Sequence, residues 1–91
     1  MVTTLSVTGE TSIVQYHIGE AYAGMGNEPE AIAYYRKAFA LAPQDAYINM
    51  QLGWYGYKRH KFAAALPYYE NVLRAPGYQP QTVKAAYLAM A

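Results

Sequence analysis

The chain has 91 residues, no cysteine and a formal net charge of +1. That length allows one small domain with a thin core, burying only about 60–65% of its unfolded surface. The near-balance of charge gives nucleic acid no electrostatic hold, and the missing thiols exclude disulfides and thiolate metal sites.

Nowhere do about 18 apolar residues run together, so no membrane insertion is expected. Lack of cysteine suits a soluble chain of cytoplasm or periplasm and selects neither. Eleven tyrosines, with Trp54, Phe39 and Phe62, make the composition aromatic. A tyrosine offers a broad apolar ring with a polar tip, which suits half-buried or binding surfaces as well as helix packing.

Residues 1–11 show no helical periodicity, and Leu5 and Val7 alternate weakly, so a flexible lead is expected there. Ser12 and Gln15 have the spacing of a capping box, which predicts the first helix from Ser12 until Gly24 and Gly26 stop it. Asn27 as cap and Pro29 in the first turn predict a second helix over Glu28–Leu41, ended by Pro43. Asp45 caps a third helix over Ala46–Lys58. Two of its stripes are apolar: Tyr47, Met50, Trp54 and Tyr57 on one, Ile48 and Leu52 on the other. A fourth helix, Phe62–Arg74, contains Pro67, whose ring should face outward at a bend. Pro76, Gly77 and Pro80 read as a rigid turn before a fifth helix over residues 81–91, with Val83, Ala86, Tyr87 and Met90 apolar. Lys58–Lys61 reads as a solvated basic turn.

The organising signal is a recurrence. Gly19, Ala31, Tyr34 and Tyr35 return 34 residues later as Gly53, Ala65, Tyr68 and Tyr69, and Ile18 and Ile32 return as Leu52 and Leu66. A small–small–aromatic pattern at a fixed interval marks a helical array.

At that interval the chain resembles the tetratricopeptide repeat family, over about 80 of its positions. The first repeat (12–45) carries Ile18, Gly19, Tyr22, Ala31, Tyr35, Ala38 and Pro43; the second (46–79) carries Leu52, Gly53, Ala65, Tyr69 and Val72. Residues 80–91 are then a terminal or third-repeat helix. The departures are Gln15 and Asn49 where a bulky aromatic is often found, and Gly56 in the place of Tyr22. The resemblance implies an all-α superhelix of antiparallel helix pairs, in which Gly19 and Gly53 let paired helices approach beside Ala31 and Ala65.

No catalytic, cofactor or metal motif is present, and neither His17 nor His60 has a carboxylate at ligand spacing by this reading. A non-catalytic module is expected, without cofactor or metal. In the family the inner face of the first helix of each pair lines a concave groove. The corresponding residues are Tyr16, Glu20, Tyr47, Met50, Trp54, Tyr57 and Lys58, with Lys84 and Leu88 continuing the stripe. Singly, Tyr47 or Trp54 fits core packing equally well. As a row they read as a surface, because Ile48, Leu52 and Tyr55 already form another packing side.

Some relatives grip a peptide's terminal carboxylate with basic and amide residues. The equivalents here, Tyr16, Glu20, Gln51, Gln81 and Ala85, do not reproduce that clamp. The expected partner is a protein or peptide, an extended or helical segment seated among aromatic rings, with Asn49 or Gln51 meeting backbone groups. The alternatives are a self-assembling scaffold unit associating through the last helix, and contact with glycan in a bacterial secretion or export system.

Overall fold

The computed structural model describes residues 2–75 and 81–90, with side chains for 12–75, 81 and 83–89. Five helices make up the described chain: α1 (Val2–Gly24), α2 (Glu28–Leu41), α3 (Ala46–Lys58), α4 (Phe62–Arg74) and α5 (Gln81–Met90). No strand occurs among the described residues, and the all-α helical-repeat expectation holds. The chain divides into two compact units, Met1–Pro43 with α1 and α2, and Gln44–Ala91 with α3, α4 and α5.

Helix α1 corrects one expectation. It begins at Val2 rather than Ser12, so the Ser12–Gln15 pair lies inside a helix and no cap forms there. The physical reason is propagation: residues 2–11 contain no proline, and each residue added to an existing helix gains a hydrogen bond at little further cost. Gln15 Oε1 is buried and finds no hydrogen-bond partner among the described residues.

The other boundaries follow the punctuation in the sequence. The Asn27 side chain accepts from the Glu30 amide at 3.4 Å, and Pro29 sits in the first turn, where no intrahelical amide is needed. Asp45 accepts from the amides of Tyr47 and Ile48 at 2.9 and 3.1 Å. Pro67 lies within α4 and is exposed, as expected. The expected turn at Pro76, Gly77 and Pro80 lies outside the described residues.

Helices α1 and α3 end in the same way. The Gly26 and Asn27 amides donate to the carbonyls of Ala23 and Tyr22; 34 residues on, the His60 and Lys61 amides donate to those of Tyr57 and Gly56. This double bond pattern requires a left-handed residue at its centre. Gly26 meets that need at φ 79°, and His60 does so at φ 60° against the preference of a side chain.

In each unit the core repeats at the same interval. Ala31, Tyr35 and Ala38 of α2 are buried, as are Ala65, Tyr69 and Val72 of α4. The Tyr35 ring covers Gly19, where an added Cβ would meet Tyr35 Cδ1 and Cε1 at 2.8 Å. At Gly53 the same atoms of Tyr69 would lie at 2.5 Å. Close approach to Ala65 belongs instead to Gly56, whose Cβ would meet Ala65 Cβ at 3.0 Å. The glycine thus accommodates the aromatic ring itself, a refinement of the glycine–alanine crossing expected from sequence.

In the second unit Ile48, Leu52 and Tyr55 form the packing side of α3. Helix α5 docks on α4 through Val83, which is buried against Tyr69 and Val72, with Ala86 and Tyr87 half-buried beside it. The Tyr87 hydroxyl donates to Glu70 Oε2 at 3.2 Å, and this bond to a carboxylate holds the phenol above its ordinary pKa.

Candidate partner-binding cleft

Because Ile48, Leu52 and Tyr55 turn inward, the helical period directs Trp54 and Tyr47 of α3 outward, at 47% and 55% exposure. Met50 and Tyr57 lie between these extremes, half-buried against the Tyr69–Val72–Val83 cluster. Since α5 is anchored by Val83, its alanines face the space beside α3. The result is a cleft of about 670 Å³ lined by Met50, Gln51, Trp54, Tyr57, Tyr69, Val83, Ala85, Ala86 and Ala89.

Its aromatic wall is ordered by ring contacts. Trp54 and Tyr57 stack at 6.1 Å between centroids, and Tyr57 meets Phe62 at 5.8 Å. The Lys58 ammonium lies 5.8 Å from the Trp54 ring centroid and 5.2 Å from that of Tyr55. Burial pushes the phenol of Tyr69 up to about 12, with Tyr57 adding to the effect, so the aromatic floor remains neutral at physiological pH.

Of the residues expected at a binding surface, the structure brings Met50, Trp54 and Tyr57 into one cleft and sets Lys58 against Trp54. Tyr47 and Lys84 are exposed but do not line it. Tyr16 and Glu20 belong to the first unit. There the Tyr16 ring packs 5.6 Å from that of buried Tyr35, and Glu20 Oε1 lies 3.0 Å from His17 Nδ1. The second contact corrects the reading that His17 has no carboxylate within reach. Its exposed position on one helix face makes it a local surface pair.

Two further corrections concern polar groups and helix rotation. Asn49 is fully buried; it donates to the Asp45 carbonyl at 2.8 Å and accepts from Asn71 at 2.9 Å, so it serves the fold and no ligand reaches it. On α5 the lining residues are Ala85 and Ala89, one position round the helix from the expected Lys84 and Leu88. Tyr69, Val83 and the three alanines were not among the expected site residues. The Ala85–Ala89 pair was a usable signal, since small side chains four apart leave room on one helix face.

Among the described residues no group of three His, Asp or Glu side chains could hold a metal ion, and no helix is long and apolar enough to cross a membrane. What the cleft offers is apolar surface, aromatic faces, phenolic hydroxyls, an indole N–H and the Gln51 amide. These groups suit reversible binding.

The family model for the tetratricopeptide repeat matches residues 12–45, the segment with Gly19 beneath Tyr35. This chain carries a tetratricopeptide repeat. Such repeats generally mediate protein–protein interactions and are typically non-catalytic. The tetratricopeptide match covers α2 and the second half of α1; the α3–α4 pair reproduces its glycine–tyrosine contact 34 residues on. No curated protein matches the chain.

Proposed function

We propose that this chain is a protein-interaction module whose cleft between α3, α4 and α5 binds a segment of a partner protein. The observation that carries this reading is the outward-facing Trp54, stacked on Tyr57 at the wall of an apolar cleft of about 670 Å³. An apolar side chain of the partner, extended or helical, would fill the cleft between Met50, Trp54 and the alanines of α5. Its backbone would meet Gln51 and the phenolic hydroxyls.

The test uses peptides selected from a random display library on the wild-type chain. Trp54→Ala and Tyr57→Ala are each expected to keep the helical circular-dichroism spectrum and to lose about tenfold or more in affinity. Unchanged affinity in both variants would refute the cleft reading. Loss of fold would instead return these rings to the core.

Leu88 on α5, 69% exposed, favours a second reading in which copies associate through that helix. Light scattering across concentration decides it: a strict monomer throughout eliminates self-association.

A further inference from the structure

We propose that the segment taken by this cleft is acidic beside its apolar anchor, with an Asp or Glu held at the Trp54 end by Lys58. The proposal rests on the cleft reading above and specifies the chemistry of the partner.

The charges around the cleft are one-sided. Its lining contains no ionic side chain, and the helices on either side, α3 and α5, hold Lys58 and Lys84 and no acid. Arg59, His60 and Lys61 follow directly on Lys58 in the turn to α4. The acids nearest in the fold are committed elsewhere. Asp45 caps the opposite end of α3 through the amides of Tyr47 and Ile48. Glu70 accepts from Tyr87 and lies 4.0 Å from Arg74.

Lys58 is placed to act on a guest. Its ammonium stands 5.8 Å from the Trp54 ring centroid, so a residue flanking a side chain seated on that ring comes within the roughly 8 Å over which charges act at physiological salt. The apolar walls exclude water and strengthen that field. The carbonyl end of α3 opposes an acid with about half a unit of negative charge, but Lys58, Arg59 and Lys61 outweigh it. A basic segment would face repulsion without a counter-charge on either wall.

The experiment pans a random peptide display library on the full wild-type chain and on Trp54→Ala. Selected peptides are then titrated by the fluorescence of Trp54, the single tryptophan. Asp and Glu should be enriched over Lys and Arg next to the apolar anchor. Replacing the peptide acid by its amide should weaken binding by about three- to tenfold at low salt, an effect that shrinks as salt is raised. Lys58→Gln should weaken the acidic peptide by a similar factor and leave the amide version unchanged.

Equal binding of acidic and amide peptides to the wild type, or an acid preference that survives Lys58→Gln, overturns the charge proposal while leaving the cleft intact. Peptides that bind Trp54→Ala as tightly as the wild type overturn the cleft reading itself.

Discussion

At the scale of single residues, the structure ranks the glycines of α3 by what stands opposite them. A Cβ at Gly53 would press on the Tyr69 ring at 2.5 Å, and that ring is buried and cannot swing aside. Overpacking of this kind costs about 1–3 kcal/mol, against which alanine's helix propensity returns about 1 kcal/mol. Gly53→Ala is therefore expected to lose about 1–2 kcal/mol in urea unfolding. Gly56→Ala, with its closest contact at 3.0 Å, should be near neutral because a small shift relieves it. Equal losses at both positions would refute the ring-on-glycine account. His60 calls for the opposite change. It holds φ 60° at the position that Gly26 occupies in the first unit, so His60→Gly should stabilise by about 0.5–1 kcal/mol, read as a higher Tm. Tyr69 adds a pH dependence. Its phenol is raised from 10.0 to about 12, so the folded form keeps a proton that the unfolded form releases above pH 10. Its contribution is complete below that pH and is lost as pH rises towards 12, which a base titration of the phenolate absorbance measures.

At the scale of elements, Pro67 is the clearest local conflict. It sits inside α4, where the first unit has Ala33, and it removes an amide that would bond within the helix. Because its ring is exposed and fills no core space, Pro67→Ala should raise stability by about 1–3 kcal/mol by chemical denaturation. A loss would mean that the helix is shaped around the proline. Elements also show why the sequence was legible in some places and silent in others. Helices α2, α3 and α4 start and stop at strong punctuation: Gly26, Asn27, Pro29, Pro43 and Asp45 each act on the backbone locally, without help from the fold. The start of α1 has no such mark, and a helix without a breaker runs on. The site was half legible for a related reason. The stripe of Met50, Trp54 and Tyr57 follows from the period of α3 alone, whereas the rotation of α5 is set by Val83 finding Tyr69 and Val72. Periodicity shows that a helix has faces, not where each is aimed. Asn49 misled because a polar residue beside an aromatic stripe reads as outward; its burial depends on Asn71, 22 residues away.

For the molecule as a whole, the consequential feature is that the cleft is built from a helix that cannot stand alone. At ten residues α5 is below the roughly 12–15 that an isolated helix needs in water, so its order depends on docking to α4 through Val83, Ala86 and Tyr87. The same helix supplies Val83, Ala85, Ala86 and Ala89 to the cleft. Undocking would remove one wall, which makes docking and ligand binding linked equilibria: a ligand that binds only the docked form must stabilise it. Val83→Ala tests the linkage. The side chain is 3% exposed, and its truncation should weaken docking by about 1–2 kcal/mol, speeding amide exchange in α5 by about tenfold. Amides of α1 and α2 should keep their rates, since the variant touches only the second unit. A saturating peptide selected on the wild type should then slow α5 exchange towards its original rate, while bound Trp54→Ala controls should not respond. If α5 amides exchange at the same rate with and without peptide, the helix is no part of the binding site, and recognition belongs to α3 alone.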